Sequence, residues 1–212
     1  MIPLANRIKK EAHRNIASAQ DLIIKSLYAV FNDAVFHGGT AIWRCYGGKR
    51  FSEDIDVYIP KNKEKIDALF LEFGKEGFAI EKKKISENSI YSNLRFNRVE
   101  VRFEAIFKER EGTIKDYENV DGTFVSVYTL KEDEFIEEKV NAYLGRRKIR
   151  DLYDVFFLIK YVQDKEKIKE KINQLIKEYL EPFDEKDLKV LVLEGLVPTS
   201  QKMLEYIKSE IR

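Results

Sequence analysis

The stretch HGGTAIWRCYGGKRFSEDIDVYI, residues 37–59, decides the reading of this chain. A short β-like run at 34–37 stops at Gly38-Gly39. Residues 40–46 read as a helix with Thr40 as its N-cap, and Gly47-Gly48 breaks it. Residues 54–59 then alternate Asp54 and Asp56 with Ile55, Val57 and Ile59, the period-two signature of a strand with one polar and one apolar face. Paired glycines let a backbone approach a polyphosphate closely, and a helix that starts beside them turns its free N–H groups toward the same anion. Asp54 and Asp56, two apart on a strand, project from one face. Carboxylates so placed suit Mg²⁺ or Mn²⁺ shared with phosphate oxygens, and two such ions about 3.5–4 Å apart serve in-line phosphoryl transfer. A third carboxylate on a neighbouring strand is then expected. Glu104 is the candidate, and Glu100, on the same face but nearer a turn, is its rival. A Gly-Gly pair alone marks a turn and an Asp-x-Asp alone a solvated face; the combination carries the specificity.

Outward from this stretch the chain divides near residue 128. Before it, residues 4–18 look helical but polar, 21–31 and 63–74 carry helical apolar stripes, and 78–85, 90–96, 99–107 and 123–128 read as strands, with Asn97-Arg98 as a hairpin turn. After it the chain reads as helix over 130–144, 150–162, 165–180, 186–197 and 199–211. Lys82-Lys83-Lys84, inside a strand, reads as edge protection.

Composition narrows the function classes. The chain has 212 residues, of which 44% are hydrophobic and 12% aromatic, enough for a core. No apolar run exceeds the length of Val155-Phe156-Phe157-Leu158-Ile159, whereas a membrane-spanning helix needs ~20 residues. The first residues carry no secretory pattern, and Cys45 is the only cysteine, so a reducing, cytoplasmic setting fits and a Cys-based zinc site is excluded. With 38 basic and 37 acidic residues, overall charge does not mark a nucleic-acid binder. Charged residues make up 35%, mostly Lys and Glu, a bias that resembles a thermophile's or that of a Lys/Glu-rich mesophile.

The joint pattern resembles the nucleotidyltransferase superfamily signature, and the fuller stretch resembles the AbiEii/AbiGii toxin-type nucleotidyltransferases through Gly38, Gly39, Thr40, Ala41, Arg50, Ser52, Asp54 and Asp56. A second block, KVNAYLGRRKIRDLYDVFFL, is similar to the family's through Lys139, Arg147, Arg150, Asp151 and Asp154. Arg102-Phe103-Glu104 fits the family's basic-x-acidic pair and favours Glu104 over Glu100. The likeness runs over roughly residues 16–165, and typical members are larger.

The resemblance implies an α+β fold. Residues 1–128 would form a nucleotidyltransferase-like half, a mixed sheet flanked by helices, and 129–212 an all-helical half contributing to the active-site cleft. It implies metal-dependent transfer of NMP from an NTP to an acceptor, the 3′ end of tRNA in some relatives, by the toxin of a toxin–antitoxin pair whose antitoxin is often a winged-helix protein. The implied catalytic residues are Asp54, Asp56, Glu104, Lys139 and Asp154, with Asp54, Asp56 and Glu104 as metal ligands. Gly38, Gly39, Thr40, Ser52, Lys139, Arg147 and Asp151 would bind nucleotide. Lys139 would neutralise triphosphate charge. Asp151 and Asp154 share a helix face and would serve the same site or form ion pairs with Arg147 or Arg150. The rival readings are a nucleotidyltransferase acting on a protein or small molecule, an inactive nucleotide-binding module, and a nucleic-acid-binding partner protein.

Overall fold

A computed structural model of the chain describes residues 3–211. The chain forms two compact units: one takes in the chain up to Gly47 together with Phe51–Leu130, the other Gly48–Arg50 together with the chain from Lys131 onward.

The first unit is built on a seven-stranded mixed sheet. Its strands are β1 (Val35–His37), β2 (Ile55–Ile59), β3 (Ala79–Ile85), β4 (Ser89–Phe96), β5 (Val99–Phe107), β6 (Thr113–Glu118) and β7 (Phe124–Thr129), in the order β3-β4-β5-β2-β1-β7-β6. β2 runs parallel to β5 and β1 parallel to β7; the other pairings are antiparallel. Helices α1 (Leu4–Arg7), α2 (Glu11–Val30), α3 (Gly38–Cys45) and α4 (Lys63–Lys75) complete it. Alternation along β5 puts Val101, Phe103 and Ala105 in the core, where α2 packs on the strand. Phe73 of α4 meets Phe103 edge-on, ring centroids 5.4 Å apart, in the geometry aromatic pairs favour.

Two expectations for this unit are corrected, and one strand is added. The polar stretch expected over 4–18 is broken at Ile8–Lys10: Leu4–Arg7 forms α1, and from Glu11 the rest joins the amphipathic stretch in one helix to Val30, because neither glycine nor proline interrupts it and only the later turns bury a stripe. Helix α3 begins at Gly38 with His37 in the N-cap position, so Thr40 lies inside the first turn and does not cap. Strand β6 was not anticipated. It lies at the sheet edge, and only Tyr117 and Glu118 in it are buried, which leaves almost no apolar alternation to read.

The second unit contains α5 (Glu132–Arg146), α6 (Ile149–Leu158), α7 (Glu166–Glu178), α8 (Leu188–Leu191) and α9 (Ser200–Ser209), with 3₁₀ turns at Ile159–Tyr161 and Glu185–Asp187. α5 packs on α6 and α7, and α6 on α9. The helix expected over 186–197 is only the short α8. Beyond it Val192 forms an antiparallel bridge with Arg50, and the Leu193 N–H donates to the Lys49 carbonyl at 2.8 Å. Gly195, at φ +91°, and Pro198 then prevent a return to helix. This unit therefore combines its helices with one extended contact to Gly48–Arg50.

Candidate active site

The first unit gathers the expected acidic residues on one face of its sheet. Strand register sets Asp56 opposite Glu104 on the parallel neighbour β5 and opposite His37 on β1. Asp54 stands just before β2, and its backbone carbonyl accepts a 2.5 Å hydrogen bond from Thr40 Oγ1. Thr40 thus ties the first turn of α3 to the start of β2, a role sequence reading did not foresee. Ser52 is buried upstream, its carbonyl held by Gln20 Nε2 at 3.0 Å. His37 stacks on Tyr58, ring centroids 4.0 Å apart.

Gly38 explains how Asp56 and the helix start coexist. Its φ is +75°, a conformation glycine adopts without steric penalty. A Cβ built there would stand 2.1 Å from Asp56 Oδ2. The carboxylate therefore occupies the space any other residue's side chain would fill. It does so beside the first turn of α3, whose N–H groups lack intrahelical acceptors and attract negative charge.

A further residue completes this site. Arg102 lies two residues before Glu104 on the same face of β5. Its Nη2 donates to Asp54 Oδ2 at 2.5 Å, and its Nε stands 3.0 Å from Glu104 Oε1. The guanidinium thus lies between two of the expected cation ligands. Sequence reading used Arg102 only to choose Glu104; period-two spacing in Arg102-Phe103-Glu104 was the signal that it shares their face. Among the described residues no three acidic, His or Cys side chains close around a metal position. The donor set itself fits Mg²⁺ or Mn²⁺: hard carboxylate oxygens on adjoining strands, one beside a helix start cleared by glycine, with a cationic group already lying between the other two.

The residues of the second sequence block lie in the second unit and form a buried charge cluster. Asp154 is 1% exposed and receives Arg50 Nε at 2.6 Å and Arg50 Nη2 at 2.5 Å. Lys139 Nζ is 2.9 Å from Asp154 Oδ2 and 3.9 Å from Asp151 Oδ1. Arg146 grips Asp151 with two 2.8 Å hydrogen bonds. The partners are Arg50 and Arg146 where sequence spacing suggested Arg147 or Arg150. Arg147 instead takes a left-handed conformation after α5, donates to the Glu181 carbonyl and lies 4.0 Å from the Phe183 ring. Burial would raise the Asp154 carboxyl, but the Arg50 guanidinium and the Lys139 ammonium outweigh it and hold it below its ordinary value. Burial likewise disfavours the charged form of Arg50, and Asp154 reverses that.

The sequence profile described as "Nucleotidyl transferase AbiEii toxin, Type IV TA system" matches residues 23–208. The chain belongs to this family. Membership makes it a nucleotidyltransferase of a type IV toxin–antitoxin family, which implies an NTP substrate and an antitoxin partner. Its fold is shared by JHP933 from Helicobacter pylori, at 21% identity and TM-score 0.62 over 95% of this chain and 91% of that one. It is shared also by MenT4, the nucleotidyltransferase toxin Rv2826c of Mycobacterium tuberculosis, at 16% identity and TM-score 0.64 over 94% and 82%. The antibiotic-resistance factor ANT(2″)-Ia is similar at 13% identity and TM-score 0.51 over 77% and 92%. No curated protein matches the chain. None of the described helices of this AbiEii-family chain is long and apolar enough to cross a membrane.

Two outcomes follow from the geometry. Gly38→Ala forces an alanine into left-handed backbone and its methyl into the Asp56 carboxylate. It should cost about 1–3 kcal/mol of stability and abolish nucleotidyl transfer in a protein that still folds, checked by thermal melting beside an activity assay. A depressed carboxyl contributes stability that is present above 3.8, the ordinary value for Asp154, and is lost as pH falls below it through the folded value. Asp154→Asn should therefore cost about 3–5 kcal/mol at neutral pH, by leaving Arg50 and Lys139 underpaired, and should flatten the acid limb of a denaturation-versus-pH series.

Proposed function

We propose that this nucleotidyltransferase moves an NMP from an NTP to the 3′ end of tRNA, as the toxin of its pair, with Mg²⁺ or Mn²⁺ held by Asp54, Asp56 and Glu104. The observation that carries the reading is the set of carboxylates beside the glycine-opened start of α3: Asp56 in register with Glu104, and Asp54 two residues before it. The free N–H groups around Gly38, Gly39 and Thr40, with the Ser52 hydroxyl, would take the phosphates. When bound, the cation supplies Lewis-acid polarisation of the α-phosphate and neutralises charge on the leaving pyrophosphate. Glu104 takes the proton from the acceptor hydroxyl as that oxygen bonds to the α-phosphorus; the α–β phosphoanhydride bond breaks and pyrophosphate leaves.

In the second unit, Lys139 uses one ammonium contact on Asp154, and we assign its remaining donors to triphosphate charge, with Asp154 as the residue that orients it. Asp151 serves by holding Arg146 and by adding negative charge near Lys139. Arg147, committed to Glu181 and Phe183, is left out of the nucleotide site.

Arg102 must release Asp54 and Glu104 before a cation can enter. Arg102→Gln should tighten Mn²⁺ binding in the absence of nucleotide by roughly 10-fold or more, the equivalent of one charge-assisted hydrogen bond, read as loss of the free Mn²⁺ resonance signal. Unchanged affinity would mean that the guanidinium does not compete. The activity test is incorporation from each α-labelled NTP with total tRNA and Mg²⁺. Label on tRNA, lost in Asp56→Ala, is the expected result. Label on protein or on a small molecule would move the acceptor, and NTP binding without transfer would make the chain a binding module.

A further inference from the structure

The sheet face that carries the carboxylates continues, uncovered, across β4 and β3. On the opposite face Ile90, Ser92, Leu94, Val101 and Phe103 are buried, whereas Tyr91, Asn93, Arg102 and Glu104 on this side are only half-buried and β3 is exposed along its whole length. Cross-strand register lines up one row over this surface: Asp56 on β2, Glu104 on β5, Tyr91 on β4 and Lys84 on β3. Strands lie ~4.8 Å apart, so Tyr91 stands one strand from Glu104 and Lys84 two strands, ~10 Å, from it.

The lysine run in β3 is divided between the two faces. Lys83 is turned toward α4, 3.8 Å from Asp67 and 3.9 Å from the centre of the Phe70 ring. Lys82 and Lys84 lie on the open side, and Lys82 Nζ is 4.9 Å from the centre of the Tyr91 ring. Other charges here are already matched: Arg95 pairs with Glu81, Arg102 with Asp54 and Glu104, and Glu100 accepts from Asn93 at 2.8 Å. Among the described residues neither Lys82 nor Lys84 has a carboxylate partner. Edge protection accounts for lysines on β3 but not for an aromatic ring in register with the acid that meets the acceptor.

We infer that this open face is the docking track for a single-stranded RNA end, with Tyr91 as the platform on which a base next to the reacting hydroxyl stacks and Lys82 and Lys84 as the contacts to its backbone phosphates. The inference deepens the proposed transferase reading and rests on it for the position of the reacting hydroxyl near Glu104. Base stacking on an aromatic side chain tolerates any base, and ammonium groups flanking it read phosphate without reading sequence.

The test uses the full chain and a fluorescein-labelled eight-nucleotide single-stranded RNA with a free 3′ hydroxyl, titrated by fluorescence anisotropy in EDTA without NTP. Neither cation nor turnover then enters the measurement. Tyr91→Ala should weaken binding roughly 5- to 150-fold, the loss of one stacked base, while Tyr91→Phe, which keeps the ring, should bind like the unaltered protein. Lys82→Glu combined with Lys84→Glu should weaken binding and reduce the slope of log affinity against log salt by about 1.4, two contacts at ~0.7 each. Lys63→Glu, at the start of α4, should change neither. Wild-type affinity in both Tyr91→Ala and the double lysine variant, or no RNA binding by the unaltered chain, overturns the inference. Transfer of label to a protein or small molecule without RNA binding also overturns it and leaves the chain a transferase. RNA binding that depends on Tyr91, with no label transferred to any acceptor, upholds the track and removes the transferase reading.

Discussion

Much of the first unit's architecture follows from the missing side chain at Gly38. β1 must end, the chain must turn into α3, and β2 must return antiparallel to β1 with Asp56 level with His37. Only a residue without Cβ lets the Asp56 carboxylate lie against the α-carbon at the helix start. The helix field then favours the negative charge. The Thr40 hydrogen bond to the Asp54 carbonyl fixes the same approach within that first turn. The backbone thus places the Asp56 carboxylate beside the start of α3.

The charged residues of the two units differ in what their surroundings permit. Asp151 and Asp154 are almost fully enclosed and matched by Arg50, Lys139 and Arg146. Opening such a cluster strands charge in a low-dielectric interior, so it behaves as permanent framework and keeps Lys139 in one orientation. Asp54, Glu104 and Arg102 are partly open to water, with side-chain exposures of 21%, 39% and 36%. Water can receive a displaced guanidinium, so this pairing can be exchanged at modest cost. Exchangeable pairing suits a place where a ligand enters, and enclosed pairing suits a framework.

These distinctions were unequally legible in the sequence. The alternation of Asp54-Ile55-Asp56-Val57 encodes both strand and face, because period two cannot satisfy a helix, and Gly38-Gly39 marks the turn. Burial of Asp154 deep in an apolar helix face told that it needed a partner, but not that Arg50, far away in sequence, would be that partner. Pairing across such separations is set by tertiary packing, which spacing along the chain does not report. The same limit hid β6, whose order comes from its hydrogen bonds to β7, and the extended segment at Val192, which pairs with the backbone at Arg50. The helical propensity of residues 186–197 was real but local, and a bridge plus Gly195 and Pro198 outweighed it.

The row from Asp56 to Lys84 shows how one constraint is used twice. Period two leaves every second residue along the middle of β4 and β5 open to solvent while the alternate residues are buried, and β3 at the edge is exposed throughout. An uncovered sheet edge invites pairing with another chain, and lysines on β3 answer that hazard. The same alternation that turns Lys83 toward α4 leaves Lys82 and Lys84 beside Tyr91, on the face where the carboxylates stand. A purely protective edge needs charge alone and is indifferent to register. An acceptor track needs charge, a ring and register together, and on this sheet the ring falls in the row of Glu104 and Asp56.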